Sequence, residues 1–417
     1  MNIAKIFALG LVVGCTHDIE TYKPLDVQRA RELDVLFVID DSPDRATYDV
    51  MAQQLDVLQA QLASVDGQLP SLHVGVVTTD LGTSSTDDAL PLRPTVMGCF
   101  GDGKEAKLQR FTSNITDAYL SDERAASGGR TRNYTGELAV ELAKLTNPDM
   151  PPAGCEIEQP LEAMRRALDP ATNPDFLRDG ALLHVVFLTN EDDCSLKSAA
   201  LLEPLDTTLG PLTSFRCTRE GVICDPDDPA RPGRHDKCRP REDSRFVAPV
   251  GQYIDFLASL KADRRDVTVT AVGGARADFI VRDFGQPLLH PVCSGPGGLA
   301  FPAVRIGAVV DAFGGSIADS CSQVDAYAQV SAPVVNRQRS CFPSLAATEM
   351  DDCTVTEIAG DIETDFARCT DGDAGPCWYA YTDAAACPAG ENLGIAIKRG
   401  DRTMPADSRI EARCFVR

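Results

Sequence analysis

The sequence predicts an α/β fold with a mainly parallel sheet, followed by a small disulfide-rich β module. Short apolar runs of strand length recur at residues 33–39, 72–79, 181–189 and 266–272. Such runs are typical of parallel strands that are buried on both faces. Apolar residues recur at helical spacing over residues 46–63, 134–145, 157–168, 249–260, 304–313 and 319–334. The order strand, helix, strand at the start of the chain indicates a parallel βαβ unit.

The β module is predicted from the cysteines in the last part of the chain. After residue 336 they lie among short alternating stretches at 393–398 and 410–416, at positions Cys341, Cys353, Cys369, Cys377, Cys387 and Cys414. Disulfides stabilise small domains whose apolar core is thin. We therefore predict a cysteine-rich β module over residues 336–417.

The segment 194–248 is rich in Pro, Arg and Asp, and we predict that it is an insertion in an α/β domain spanning 32–335. It contains Cys217, Cys224, His235 and Cys238, which are residue types that bind Zn²⁺ tetrahedrally. No C-x-x-C pair lies among them. In an oxidising compartment, disulfides are the expected state of these cysteines.

The N-terminus has the features of a bacterial export signal. Lys5 precedes an apolar run at 6–13, which is too short to span a membrane, and Cys15 follows. This resembles the lipobox of bacterial lipoproteins, which implies a signal peptide at 1–14, a lipid on Cys15 and a tether over 15–31. Thr16 replaces the aspartate that retains many such lipoproteins at the inner membrane, so we expect the outer membrane. The alternative is an ordinary secretory signal with a chance cysteine.

The charge of the chain bears on its partners. Acidic residues outnumber basic ones 62 to 40, and the formal net charge is −22. A surface of this sign repels phosphate backbones, so nucleic acid is not an expected partner.

Two of the predicted strands end in oxygen-bearing side chains. The run 33–39 is followed by Asp40, Ser42 and Asp44, and the run 181–189 by Asn190 and Asp192. In open α/β sheets, sites lie at the carboxyl ends of the strands. Oxygen ligands of this kind suit Mg²⁺ or Ca²⁺. The alternative is a capped strand-to-helix turn, in which Ser42 or Asp44 is the N-cap.

The stretch 34–44, followed by an amphipathic helix, resembles the first motif of von Willebrand factor A-type domains. The stretches 74–80, 158–164 and 187–194 are similar to the A-domain-like lipoproteins of myxobacteria and their relatives. The resemblance covers about residues 32–335. It implies a doubly wound sheet flanked by helices, with a metal-ion-dependent adhesion site at the carboxyl ends of the strands.

The family's site uses Asp-x-Ser-x-Ser, a threonine from a second loop and an aspartate after a later strand. Asp40 and Ser42 match this pattern, Asp44 replaces the second serine, and Asn190 stands where the later aspartate is expected. The loop at 153–156 has no threonine. The resemblance therefore implies Mg²⁺ or Ca²⁺ held by Asp40, Ser42 and Asp44, with Asn190 or Asp192.

These observations predict a non-enzymatic binding or adhesion lipoprotein of the cell envelope, with a protein or glycan partner. A second hypothesis is an envelope scaffold or assembly factor whose metal site has decayed. A third is a metal-assisted hydrolase, for which the sequence offers no nucleophile and base. Motifs such as G-x-S-x-G, H-E-x-x-H and the P-loop do not occur.

Overall fold

The structure is a computed structural model. It describes residues 22–28, 32–42, 54–63, 69–92, 95–111, 114–125, 129–146, 154–210, 212–225, 228–276, 279–322, 325–338, 341–342, 353–359, 361–382, 393–400 and 408–415. The predicted signal peptide, Cys15 and Asp44 lie outside these residues. Within the described ranges, no helix is long and apolar enough to cross a membrane.

The strands, in chain order, are β1 (Tyr22–Gln28), β2 (Glu32–Ile39), β3 (Ser71–Thr78), β4 (Leu120–Arg124), β5 (Arg130–Arg132), β6 (Leu182–Leu188), β7 (Val222–Ile223), β8 (Gly233–His235), β9 (Arg239–Pro240), β10 (Val267–Gly273), β11 (Phe279–Asp283), β12 (Pro287–Leu289), β13 (Cys293–Gly295), β14 (Gly298–Ala300), β15 (Ile317–Asp319), β16 (Cys341–Phe342), β17 (Thr354–Ala359), β18 (Ile362–Phe366), β19 (Cys377–Thr382), β20 (Leu393–Lys398) and β21 (Ser408–Phe415). The α-helices are α1 (Leu55–Ala63), α2 (Leu138–Thr146), α3 (Pro160–Ala167), α4 (Phe215–Gly221), α5 (Val250–Ser259), α6 (Val304–Ala312) and α7 (Ala326–Gln338). Short 3₁₀ turns lie at Ala199–Leu202, Thr207–Leu209 and Arg264–Asp266.

The central sheet has the strand order β15-β10-β6-β2-β3-β4-β5. Strand β2 pairs in parallel with β3 and β6, and β10 pairs in parallel with β6 and β15. Strand β4 is antiparallel to both β3 and β5. From β4 to β15 the order, counted along the chain, is 3-2-1-4-5-6, which is that of a doubly wound sheet. The predicted fold class is therefore confirmed, and the order reverses between β2 and β6.

Helices cover both faces of this sheet, because the side chains of β2 alternate between two apolar cores. Leu33, Val35 and Phe37 belong to the core that includes helices α1, α2 and α7. Leu36 and Val38 belong to the core that includes α3, α5 and α6. With both faces packed, the carboxyl edge of the sheet is where polar side chains collect.

The predicted helix over 319–334 is correct only in its second part. Residues 317–319 form strand β15, which extends the sheet by pairing Ala271 with Ile317, and helix α7 begins at Ala326. Three residues are too few to show a strand pattern in the sequence.

The C-terminal part forms small antiparallel sheets, as predicted. One has the order β1-β21-β17-β18 and another the order β16-β20-β19. A separate core lies between them, formed by Val355, Phe366, Trp378, Ile395, Ile397, Ile410 and Ala412. Strand β1 falls in the segment that we expected to be a tether, and it pairs along its length with β21. Part of that segment therefore belongs to the C-terminal module.

Disulfides connect the described cysteines in the insertion and beyond it, as expected of a chain that folds in an oxidising compartment. The described bonds are Cys99–Cys155, Cys194–Cys217, Cys224–Cys238, Cys293–Cys321 and Cys369–Cys377. Cys217, Cys224 and Cys238 are therefore bonded to sulfur, as predicted, and His235 contacts the carbonyl oxygen of Arg231 at 2.7 Å.

Candidate cation-binding site

Asp40 is the fully buried residue that follows β2, and its two carboxylate oxygens differ in their hydrogen bonding. Its backbone N–H donates to the carbonyl oxygen of Leu188 at 2.9 Å, which anchors it beside the end of β6. Its Oδ1 accepts from the backbone N–H of Ser42 at 2.8 Å. Among the described residues, its Oδ2 makes no hydrogen bond. A buried carboxylate with an unsatisfied oxygen is costly unless a cation reaches it.

The electrostatics of Asp40 reflect this burial. Burial raises the pKa of its carboxyl from 3.8 to about 6, the hydrogen bonds from Ser42 oppose the rise, and the neighbouring charge of Asp41 adds to it. The backbone N–H of Asn190 faces the carboxylate and also lowers its pKa. At neutral pH the group is therefore mostly ionised, in a place that disfavours its charge.

Asn190 brings a second unsatisfied oxygen from the adjacent strand. Ile39 and Leu188 are opposite each other in the register of β2 and β6, so the residues after them share one edge. The backbone oxygen of Asn190 accepts from the N–H of Phe301 at 2.8 Å. Its side-chain Oδ1 is buried and accepts no hydrogen bond from the described part of the chain. Asp40 and Asn190 thus both lie at the carboxyl edge of the sheet, after adjacent parallel strands.

Asp41 and Asp80 are two further acidic residues at this edge, and both interact with the lysine Lys104. Lys104 pairs with Asp41 Oδ2, while Oδ1 of Asp41 is buried without a partner in the described structure. The backbone N–H of Lys104 donates to the backbone oxygen of Asp80 at 2.9 Å. Burial raises the pKa of Asp80, Asp41 adds to the rise, and Lys104 opposes it. Lys104 therefore balances part of the acidic charge at this edge.

The loop before α3 packs directly on the site. A Cβ at Gly154 would lie 2.1 Å from the backbone oxygen of Asp41 and 3.0 Å from the N–H nitrogen of Ser42, so only glycine permits this approach. The Cys99–Cys155 disulfide holds the loop in place. The same disulfide-linked region carries Phe100, whose side chain is exposed.

Glu158 belongs to this loop and was not predicted as a site residue. We predicted that the helix starts at residue 157, but α3 starts at Pro160, so Glu158 precedes it. Its carboxyl is buried, and burial together with Glu191 and Asp40 raises its pKa well above 4.5. A hydrogen bond joins it to Glu191. Proline is favoured at the first helical position, so Pro160 was the sequence signal for the later start.

Both carboxylate oxygens of Asp192 are already used in hydrogen bonds, which makes it a poor candidate for a cation ligand. Its two oxygens accept from the backbone N–H groups of Val304, Arg305 and Ile306, at 2.9 to 3.1 Å, at the N-terminus of α6. Burial raises its pKa to about 6, and the N–H groups of Arg305 and Ile306 oppose the rise. The geometry therefore favours Asn190 over Asp192 as the ligand from this loop.

Asp193 connects the elements that surround the site. It is fully buried and pairs with Arg305, with Nη2 and Oδ2 2.9 Å apart. Its Oδ1 accepts from the N–H of Leu161 at 3.0 Å and from the hydroxyl of Ser195 at 2.5 Å. One carboxylate thus connects the end of β6 to α3 and, through Arg305, to α6.

The residues at this edge fit the divalent cation that the family resemblance implies. Among the described residues, buried side-chain oxygens without hydrogen-bond partners occur at the ends of β2, β3 and β6, on Asp40, Asp41, Thr78, Thr79 and Asn190. Carboxylate, hydroxyl and amide oxygens are the ligands of hard cations. Ser42 is buried beside Asp40, and Asp44 lies outside the described residues.

A different group, Cys293, Asp319 and Cys321, also brings possible ligand atoms together, but its two cysteines form a disulfide and offer no thiolate.

No protein-family model and no curated protein matches the chain. Among solved structures, it is similar to a von Willebrand factor type A protein from Catenulispora acidiphila, with 10% identity over 95% of this chain and 65% of that one, at a TM-score of 0.30. It is similar to the pilus adhesin SpaC from Lactobacillus rhamnosus GG in its open conformation, with 11% identity over 94% of this chain and 40% of that one, at a TM-score of 0.33. It is also similar to the human COPII-coat protein Sec24c, with 10% identity over 94% of this chain and 44% of that one, at a TM-score of 0.29. The chain thus spans less than two thirds of each of these proteins, and its fold class follows from its own strand order.

Proposed function

We propose that this protein is a non-enzymatic binding protein that recognises a protein or glycan partner through a divalent cation, Mg²⁺ or Ca²⁺, at the carboxyl edge of its sheet. The observation that carries the proposal is a pair of buried oxygens, on Asp40 and Asn190 at the ends of adjacent strands, that accept no hydrogen bond from any described residue. Buried polar atoms are almost always satisfied, and a bound cation would satisfy both of these oxygens.

The residues at this site would have distinct roles in binding the cation. Asp40 and Asn190 present oxygens to the cation, and Ser42 holds the Asp40 carboxylate through its backbone N–H. Glu158 and Glu191 lie nearby and are hydrogen-bonded to each other, so the two carboxyl groups share a proton. When bound, the cation supplies a coordination position that an acidic group of a partner can fill.

Calorimetric titration of the purified chain with Mg²⁺ and Ca²⁺ tests the proposal. We expect saturable binding that is abolished in Asp40→Ala, because that variant removes the carboxylate. The control is Asp255→Asn, which loses an exposed carboxylate on α5 and should bind as the parent does. Absence of heat in the parent chain, or equal binding by Asp40→Ala, would refute the proposal.

A scaffold with a decayed metal site is the second candidate. It is favoured by the Lys104–Asp41 pair and by the hydrogen bonds of Asp192, which balance acidic charge without any metal. This function predicts that the partner stays bound in chelator, whereas cation-dependent recognition predicts its release.

We further propose that the chain is exported and anchored in the cell envelope by a lipid on Cys15, more specifically in the outer membrane. The described disulfides support an oxidising compartment. Expression of Cys15→Ser in the native envelope is expected to move the protein from the membrane fraction to the soluble fraction. Unchanged membrane retention would rule out the lipid anchor.

A further inference from the structure

A cavity of about 190 Å³ lies between the insertion and the acidic end of β6. Its polar lining includes Glu191 and Thr213, and its apolar walls include Phe215, Leu288, Leu289 and Phe301. A cavity of about 150 Å³ holds benzene, so this one has room for a side chain of several carbon atoms. The cavity is built by the start of α4, strand β12 and the loop before α6.

The polar groups of the cavity differ in how they are satisfied. Asp192 and Asp193 also line it, but their oxygens are used by the N-terminus of α6 and by Arg305. Glu191 contributes a half-buried carboxyl group that is hydrogen-bonded to Glu158. A carboxylate accepts several hydrogen bonds, so this bond leaves Glu191 able to accept from a donor in the cavity as well. The hydroxyl of Thr213 is buried, and in the described structure it has no hydrogen-bond partner. The cavity therefore combines an acidic group, an unsatisfied hydroxyl and apolar walls.

Three classes of occupant can be compared on this chemistry. A purely apolar group would leave the Thr213 hydroxyl unsatisfied and would desolvate the Glu191 carboxyl, and both effects are unfavourable. An anionic group would be repelled by Glu191 and by a chain of net charge −22. A lysine places an aliphatic stem along apolar walls and carries three donors at its end, which suits a carboxylate and a hydroxyl together.

We propose that this cavity binds the lysine side chain of a partner protein. The site adjoins the cation site, because Glu191 follows Asn190 in the chain and hydrogen-bonds to Glu158, but its lining contains neither Asp40 nor Asn190. A partner protein would therefore present a lysine next to the carboxyl edge of the sheet.

Ligand-observed NMR on the full chain tests this proposal, with n-butylammonium as the probe and n-butanol and butyrate as the neutral and anionic analogues. All titrations are done with EDTA present, so the result is independent of whether the protein binds Mg²⁺ or Ca²⁺. We expect n-butylammonium to bind at least tenfold more tightly than either analogue. N-acetyl-lysine methylamide should bind comparably, because its backbone stays outside the cavity.

Variants locate the binding. Glu191→Gln should weaken n-butylammonium at least tenfold, and Leu289→Trp, which fills the cavity, should abolish binding in a chain that retains its thermal unfolding transition. Asp255→Asn is the charge-matched control and should bind as the parent does. Equal binding of n-butanol, preference for butyrate, or no effect of Glu191→Gln would overturn the proposal. Binding of n-butylammonium without binding of the capped lysine would also overturn it, because the site would then accept only free amines.

Discussion

Replacing Arg305 by alanine is expected to lower the free energy of unfolding by about 3–5 kcal/mol. Arg305 and Asp193 are both fully buried and are 2.9 Å apart. Arg305 also donates to the backbone oxygens of Ala248 at 2.6 Å and Gly221 at 3.3 Å, so it connects the middle and the C-terminal end of the insertion to the sheet edge. Truncation leaves the Asp193 charge buried without its partner, which is the expensive outcome for a buried ion pair. Urea unfolding followed by circular dichroism measures the loss.

The double variant Arg305→Met with Asp193→Asn is the matched control. It removes both charges, while the introduced amide side chain keeps an oxygen that can accept from the N–H of Leu161. We expect it to be clearly more stable than Arg305→Ala alone. If Arg305→Ala costs less than about 1 kcal/mol, the pair does not have the structural role assigned to it.

Replacing Asp40 by asparagine is expected to stabilise the metal-free protein at neutral pH and to abolish its response to divalent cations. The pKa of Asp40 is about 6 in the folded protein and 3.8 without the fold, so the folded state binds the proton more tightly. Stability from this group is therefore present below pH 3.8 and is lost as the pH rises through 6, by about 3 kcal/mol in total. Asparagine removes this loss and retains an oxygen for the N–H of Ser42.

Urea unfolding at pH 4 to 8, with EDTA or with saturating Mg²⁺ or Ca²⁺, measures both effects. At about a hundredfold excess over the dissociation constant, the cation should stabilise the parent chain by about 2.7 kcal/mol. Asp192→Asn is the control, because Asp192 has the same raised pKa but caps α6 with both oxygens. It should lose stability and keep the cation response. A cation response that persists in Asp40→Asn, or vanishes only in Asp192→Asn, contradicts the assignment.

The parallel core of the fold could be predicted from the sequence. Strands β2, β3, β6 and β10 are buried on both faces, so each appears as a continuous apolar run. The helices that cover them bury one stripe each, which gives the helical spacing of leucines in α1 and α2.

The edges of the sheets could not be predicted in this way. Strands β5 and β15 have three residues each, which is too short for a pattern. Strand β1 pairs with β21, from the opposite end of the chain, and nothing local signals that contact. Its sequence alone therefore looked like a polar tether.

The candidate site could also be predicted only in part. Asp40 and Asn190 were predicted as site residues because they follow recognisable strands. The parallel pairing of β2 and β6 then makes the two residues neighbours. Lys104 and Glu158 were missed because they come from loops whose approach depends on glycine contacts and on the Cys99–Cys155 disulfide. The helix-capping role of Asp192 was also missed, because its partners are more than a hundred residues away in the chain.

Anomalous diffraction from crystals grown with Mn²⁺ would locate the cation itself, since Mn²⁺ shares the oxygen ligands of Mg²⁺. We expect a manganese peak bonded to Asp40 Oδ2 and Asn190 Oδ1, the buried oxygens that lack partners in the described structure. Peaks confined to exposed carboxylates, or no peak at this edge of the sheet, would contradict it.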